Sequence, residues 1–359
     1  MRRKLWRWAD SAARMVLLLW AVTRFDTFIF VFGSTFFKYR ELRLLKMLGK
    51  RTIFMFLGSD IRPPFLDGAL LPTSREFSPL QCAELCRRRK KAIRKIERHC
   101  SYIVSSPLYS QFLEKRFISY AFTGLPQPLG ETPAAPRRER DHTVRVLHAP
   151  SNPEAKGTDR IRRAIAAAKA EGLPIDYVEL TGQPNARVCE ELAACDFVVD
   201  QCYSDTPMAG FAAEAASFGK PAIVAGYAGA EFAKLFPQGI PPTLYCHPDA
   251  LQDAIKLMTT DVARRQSLGR AAQEFIRTVW SPVAVAARFV RLATGDVPDQ
   301  WWSDPASIEY LAGCCVEIGE TRRRVRTLLE VIGPAAFQLG DKPKLEGRLL
   351  AFAASNSAS

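Results

Sequence analysis

No stretch of this chain offers the roughly 20 consecutive apolar residues that a bilayer-crossing helix requires. The run MVLLLWAV (15–22) is broken by Arg24 and Asp26. The basic MRRK start imitates a secretory leader, yet no small-x-small cleavage site follows it. Disulfide patterning is missing too. The nine cysteines are odd in number, irregularly spaced, and sit in a chain too long to need staples, which points to a reducing, cytoplasmic compartment. Cys82, Cys86, His99 and Cys100 have zinc-ligand residue types, but their spacing fits no common site, and no metal is expected. The basic run RRRKKAIRKIER (87–98) lacks a recognition module and interleaved aromatics, so nucleic acid is not the expected partner. Internal repeats and low-complexity tracts are absent as well.

What is present is a chain of 359 residues, long enough for two domains, with 48% apolar and 24% charged residues. Its formal charge of +13 is unevenly placed: residues 1–100 hold 22 Lys/Arg against 8 Asp/Glu, and the remainder is nearly balanced. Such a field attracts anionic lipid, nucleic acid or phosphorylated substrate. The N-terminus reads as an amphipathic helix leaning on a membrane surface, and the basic first part as a contact for anionic headgroups.

Strand-like and helix-like runs alternate, the pattern of an α/β protein with parallel sheets. In the first part, TFIFVF (27–32), TIFMFL (52–57) and YIVSS (102–106) are buried strands, separated by helices over RELRLLKMLGK (40–50) and 82–100, with Pro107 opening a further helix. The proline-rich stretch 125–141 is an interdomain linker. The second part runs TVRVLHA (143–149), a helix at 159–172, IDYVEL (175–180), a helix at 186–194, DFVVDQ (196–201), GFAAEAASFG (210–219) and PAIVAG (221–226), followed by helices over about 248–293. The expected architecture is two Rossmann-like, doubly wound domains facing a cleft, at 1–124 and 142–295. A C-terminal extension, 296–359, is helical at first and frays at AASNSAS.

Ligands of open parallel sheets collect beyond the carboxyl ends of the strands. Three kinds of loop qualify. HAPSNPEAKGTDR (148–160) carries neither GxGxxG nor GxxxxGK[ST], but Lys156 and Gly157 stand where a helix begins, and free first-turn amides plus an ammonium suit a diphosphate; a surface lysine before a capped helix is the plain alternative. His148 ends its strand and either touches a ligand or packs. DQCYSDTPMAG (200–210) opens the helix carrying Glu214, with Pro207, Met208, Ala209 and Gly210 in the entering turn. A carboxylate in that Ala-rich run either accepts from the vicinal hydroxyls of a ribose or pairs with Lys220 or an arginine. In the first domain, Gly33 and Ser34 of FGS and Gly58, Ser59 and Asp60 of GSD are strand-end turns facing the second domain, or turns and nothing more.

The runs HAPSNPEAKGTDRI, ACDFVVDQ and EAASFGKPAIV together resemble the nucleotide-sugar-binding domain of group 1 glycosyltransferases of the GT-B fold, and FLGSDIRPP with LLKMLGK is similar to their acceptor domain. The resemblance spans about 27–295. It implies sugar transfer from a nucleotide-diphosphate donor to a glycan or lipid-linked acceptor in polysaccharide or glycoconjugate synthesis. It implies no metal or other cofactor; the basic first part adds an expected place at the inner face of a membrane. It also implies Glu214 on the ribose, Lys156 on the diphosphate, and Ser59 with Asp60 positioning the acceptor. No catalytic base or nucleophile is named, because retaining members rely on the donor phosphate. Thr206 stands where the family has a second glutamate, Ser151 of the donor loop where it often has an arginine, and Leu57 where a histidine commonly precedes GSD. The glycine-rich strand and turn that open the family's first domain are missing, so the N-terminus is expected to be short relative to it. These departures keep one rival open, a GT-B-like binding subunit without turnover; an epimerase or phosphorylase of the same fold is a second.

Overall fold

In a computed structural model, residues 2–130 and 143–355 are described. Most of the expected linker, 131–141, and the last four residues of the expected frayed tail lie outside them. The chain opens with helix α1 (Arg2–Arg24), then strand β1 (Thr27–Val31), α2 (Glu41–Met47), β2 (Arg51–Met55), α3 (Pro79–His99), β3 (Tyr102–Ser105), β4 (Phe117–Ser119) and the single turn α4 (Tyr120–Thr123). The helix expected from Pro107 is a turn instead, in which the Ser106 hydroxyl accepts from the Leu108 amide. Once one polar side chain satisfies the free backbone, proline starts a turn as readily as a helix.

A second succession follows: β5 (Val144–His148), α5 (Pro153–Lys156), α6 (Thr158–Ala170), β6 (Ile175–Glu179), α7 (Asn185–Ala194), β7 (Phe197–Gln201), α8 (Gly210–Ser217), β8 (Ala222–Ala225), α9 (Gly229–Leu235) and β9 (Leu244–Cys246). Helices α10 (Leu251–Thr260), α11 (Val262–Thr278) and α12 (Pro282–Thr294) come next, then β10 (Trp302–Ser303), α13 (Ile318–Val331) and α14 (Pro343–Ala354). The sequence puts its punctuation where these elements need it. Ser78 caps α3 ahead of Pro79, Ser281 caps α12 ahead of Pro282, and Gly295 ends α12 in the left-handed region.

Each lobe holds one five-stranded sheet. The second sheet has the order β6-β5-β7-β8-β9, all parallel, so its winding reverses between β5 and β7. That reversal leaves a crevice at the carboxyl ends of these two strands, where His148 and Gln201 end them. The first sheet runs β1-β2-β3-β4 in parallel, and β10 adds antiparallel to β4. The C-terminal extension is therefore part of the first lobe: it begins with an edge strand and loop, and only later becomes the helices α13 and α14, packed on α3 and on each other.

Three apolar clusters fill the molecule. One lies under α2, α3, α13 and α14, and takes in Cys82 and Cys86; a second, beneath α6 and α10, is internal to the second lobe. The remaining cluster belongs to both lobes. Ile53, Met55 and Ile118 of the first sheet share it with Leu147, Val198 and Met208 of the second lobe, and with Trp280 and Tyr310.

The strap before α13, residues 304–317, runs through this seam. Gln111 Nε2 donates to the Tyr310 carbonyl, the Cys314 amide donates to Leu66 O, and the Gly68 amide donates to Cys314 O, each at 3.0 Å. One residue on, the Cys315 amide donates to Tyr203 O of the second lobe at 2.9 Å. The strap passes so close that a Cβ on Gly68 would sit 1.9 Å from the Cys315 carbonyl oxygen. Gly68→Ala should therefore lower stability by about 3 kcal/mol, the upper range for overpacking against backbone. The check is the urea midpoint at unchanged slope; a variant with the native midpoint would mean that the strap does not lie in the seam.

Candidate functional site

Of the donor-side residues expected from the sequence, Lys156 and Gly157 stand at the switch point of the second sheet, and Glu214 follows on α8 after β7. Asn152 caps α5 by accepting from the Ala155 amide, and Lys156 ends this one-turn helix. Gly157 then turns the chain in the left-handed region, at φ 68°, to start α6. A Cβ there would meet Cys202 at 2.7 Å, so both the conformation and the close approach require glycine. The turn aims the Lys156 ammonium at the end of β7, where it lies 3.3 Å from Asp200 Oδ1 and also donates to Gln201. Burial opposes its charge most strongly, but the Asp200 carboxylate together with other neighbouring groups outweighs that and holds its pKa above the ordinary lysine value. The other Asp200 oxygen is buried and finds no hydrogen-bond partner among the described residues.

Glu214 sits one turn into α8, flanked by the buried Ala212, Ala213, Ala215 and Ala216. Its own side chain is half-buried, and among the described residues its carboxylate meets no hydrogen-bond or ion-pair partner. The alternative pairing with Lys220 does not form, because that ammonium donates to the Cys195 carbonyl at 2.7 Å. Burial and then the Asp200 charge push the Glu214 pKa upward. Asp200 thus links the two donor-side residues, touching Lys156 and repelling Glu214. Beside them, Gly210 at the start of α8 faces open space, and backbone bonding of the helix begins only at the Ala213 amide, which donates to Ala209 O.

The other donor-loop residues are distributed differently. Ser151 is exposed. Pro207 is buried, its carbonyl accepting from Thr243, and Met208 is 1% exposed within the apolar seam. His148 packs instead of reaching a ligand: it is fully buried, one ring nitrogen 2.8 Å from Val199 O and the other 2.9 Å from Thr158 Oγ1. Burial lowers its pKa, so the imidazole is neutral, and both nitrogens are spent inside the lobe.

Across the seam, the first-lobe loops are tied down by their own side chains. Asp60 accepts from the Leu57 and Gly58 amides at 3.0 Å each, closing the GSD turn on itself. Its second oxygen is buried without a partner, and burial raises its pKa. Ser59 donates to Asp67 Oδ1 at 3.3 Å. Gly33 and Ser34 lie in the turn after the edge strand β1, where the Ser34 amide donates to Val31 O.

Sequence reasoning missed the residues that join the lobes. Arg62, 3% exposed, donates through Nε and Nη2 to Oδ2 of Asp205, also 3% exposed, on the opposite lobe. Burial works most strongly against the guanidinium charge, yet Asp205 and Asp67 with other neighbours hold its pKa well above the ordinary value; burial also raises the Asp205 pKa, against the pull of Arg62. Thr206, at the place of the family's second glutamate, bonds Tyr120 OH of the first lobe at 2.8 Å. Glu154 accepts from Thr73 and Ser74 across the same boundary. An arginine and an aspartate 143 positions apart in sequence give no local signal of pairing.

No family model matches the chain. No curated protein matches it either. Solved structures do match. Sucrose-phosphate synthase from Thermosynechococcus elongatus is 15% identical over 75% of this chain and 73% of that one, with a TM-score of 0.51. HepE from Anabaena, solved in complex with UDP, is 14% identical over 79% of this chain and 82% of that one, with a TM-score of 0.50. At such identities the likeness is one of fold: the chain has the two-lobed GT-B architecture.

The isolated Glu214 carboxylate has a pH signature. Its pKa is raised in the folded state, so its contribution to stability is fully present when it is protonated and is lost as pH rises through that folded value. Glu214→Gln should raise the melting temperature at pH 7.5 and leave it unchanged at pH 4. A lowered melting temperature at pH 7.5 would show that the carboxylate has a stabilising partner.

Proposed function

We propose that this protein is a glycosyltransferase. The second lobe holds a nucleotide-diphosphate sugar, and the first presents a glycan or lipid-linked acceptor, at the inner face of a membrane, in polysaccharide or glycoconjugate synthesis. The observation that carries the reading is the unpartnered Glu214 carboxylate at the same strand ends as the Lys156 ammonium. A half-buried carboxylate without a donor is costly unless a ligand supplies one, and the two hydroxyls of a ribose do so. HepE, of the same fold, is solved with UDP.

In this reading Glu214 orients the nucleoside. The Lys156 ammonium, with the amides of the first turn of α6 that follows Gly157, faces the diphosphate, and the open N-terminus of α8 at Ala209 and Gly210 faces its far end or the sugar. As the bond between sugar and phosphate breaks, negative charge grows on the departing diphosphate. A cation and amide dipoles fixed in advance lower that barrier without a metal. Lys156 gives up part of its contact with Asp200 and Gln201 to do so. Ser59 and Asp60 bound the acceptor side.

A second reading, a nucleotide-sugar-binding subunit without turnover, is favoured by the seam itself: the Arg62–Asp205 pair and the strap occupy ground where an acceptor would meet the donor. A thermal-shift panel of UDP, GDP, ADP and their sugars tests both. The right nucleotide at a hundredfold excess over its Kd should stabilise the protein by about 2.7 kcal/mol. Glu214→Ala should weaken that binding by about a hundredfold, the value of hydrogen bonds to a charged group. Transfer of labelled sugar to an acceptor marks the enzyme; binding without transfer marks the subunit. Indifference to every nucleotide would end both readings.

The first lobe, in the same reading, rests on an anionic membrane through the basic excess of residues 1–100. Cosedimentation with anionic vesicles should fall steeply as salt is raised, and pelleting that ignores salt would contradict it.

A further inference from the structure

On the outer side of the first lobe, α2 and α3 form the walls of a groove of about 810 Å³. Five arginines, two lysines, His99 and Gln338 line it, and none of the lining residues is an acid. Two of these cations have carboxylate partners, Arg87 with Glu84 and Arg94 with Glu114 at 2.7 Å. Lys95 reaches only the Lys38 carbonyl. Among the described residues, the side chains of Arg40, Arg43, Lys91 and Arg98 make no ion pair and no hydrogen bond. The local potential is felt by His99, whose pKa is lowered by burial and then by Lys46, Arg98, Lys95 and Arg43. A solvated basic face is usually convex and interspersed with acids. This one is concave, of a size that holds discrete ligands, and dominated by guanidinium groups, which match phosphate oxygens two at a time.

The surface beside the groove is apolar. Leu44, Met47 and Leu48 on α2 are exposed, Met47 to 73%. Helix α1 docks through Leu18 and Ala21 on the cluster that also holds Leu42 and Leu45 of α2, and leaves Met15, Val16, Leu17, Leu19 and Trp20 exposed. None of the helices among the described residues is long and apolar enough to cross a membrane, so these side chains suit the boundary between headgroups and acyl chains.

We propose that the α2–α3 groove is a binding site for clustered phosphate groups, and that anionic phospholipid headgroups supply them. Its phosphate chemistry stands on the groove alone; its lipid source rests on the membrane reading above. A soluble polyphosphate carries the same groups but makes no use of the neighbouring apolar side chains.

The experiment compares the full chain with two variants that each lose three exposed, unpaired positive charges. One is the groove variant Arg43→Gln/Lys91→Gln/Arg98→Gln; the other is Arg163→Gln/Arg264→Gln/Arg270→Gln on the second lobe. Each is titrated at 0.15 M salt with tripolyphosphate, and with phosphatidylcholine vesicles with and without phosphatidylglycerol. The groove variant should lose affinity for tripolyphosphate and for phosphatidylglycerol vesicles by about a hundredfold, each basic residue being worth about a factor of five at an anionic surface. The second-lobe variant should keep both, and tripolyphosphate should raise the His99 pKa in the native protein. Equal weakening of the two variants would overturn the site and leave diffuse membrane attraction standing. Groove-dependent binding of tripolyphosphate with indifference to vesicles would keep the phosphate site and overturn the lipid source together with the membrane reading. Binding of neither ligand by the native chain would overturn both. Each variant's thermal melt reports whether it is folded.

Discussion

Between the two lobes, the guanidinium of Arg62 and the carboxylate of Asp205 are enclosed together, nearly fully buried. Neither charge tolerates that environment alone: desolvation of either ion amounts to several kcal/mol, and only close pairing offsets it. The pair therefore sets how the lobes meet. Around it the other polar groups fall into step. Asp67 approaches Arg62 at 3.9 Å and Arg89 at 3.8 Å, the Arg62 guanidinium lies over the Tyr109 ring, and the strap carries Cys314 and Cys315 past it with one backbone bond after another. Interlobe surfaces within a chain are commonly polar and mobile. This one is a shared core with a buried ion pair at its rim, so opening it means separating charge as well as wetting apolar surface.

The donor-side arrangement inherits its position from sheet topology. Because winding reverses between β5 and β7, the loops after these two strands diverge and leave room at their carboxyl ends. Asp200 stands at the centre, partner to Lys156 and unfavourable neighbour to Glu214. It keeps the ammonium charged and turned inward while the glutamate is left without a donor. His148 shows the reverse case: a polar residue at a strand end whose bonding capacity is fully used within the lobe, so that its place in the chain points to a site and its contacts do not.

Much of this was legible beforehand, and for identifiable reasons. In the second lobe the inner strands β5, β7 and β8 are short, largely apolar runs bounded by turn residues, because parallel strands inside a sheet are buried on both faces; the short α5 and α9 and the edge strand β9 were not read from the sequence. The boundaries read there fall within one or two residues of those observed. Gly157, read as standing where a helix begins, does start α6. The first lobe was read less well where one side chain decides between turn and helix, as after Pro107. It was also misread at its far edge, because β10 is only two residues long, too short to show periodicity, and is held by pairing with β4. The departures at Thr206 and Leu57 were visible as letters. That Thr206 spends its hydroxyl on the opposite lobe was not.

The order of residues by itself determined the alternation of elements, the two parallel sheets, the basic first part and the glycine at the start of α6. Each of these follows from local periodicity, composition or a backbone angle that only one residue type adopts readily. Tertiary structure alone decided that the lobes share a core, that the C-terminal extension threads the seam and completes the first sheet, and that Glu214 is left unpaired. It also gathered the cations of α2 and α3 into one groove. Those outcomes depend on groups far apart in the chain being desolvated together, and desolvation is a property of the assembled neighbourhood, which no single stretch of sequence contains.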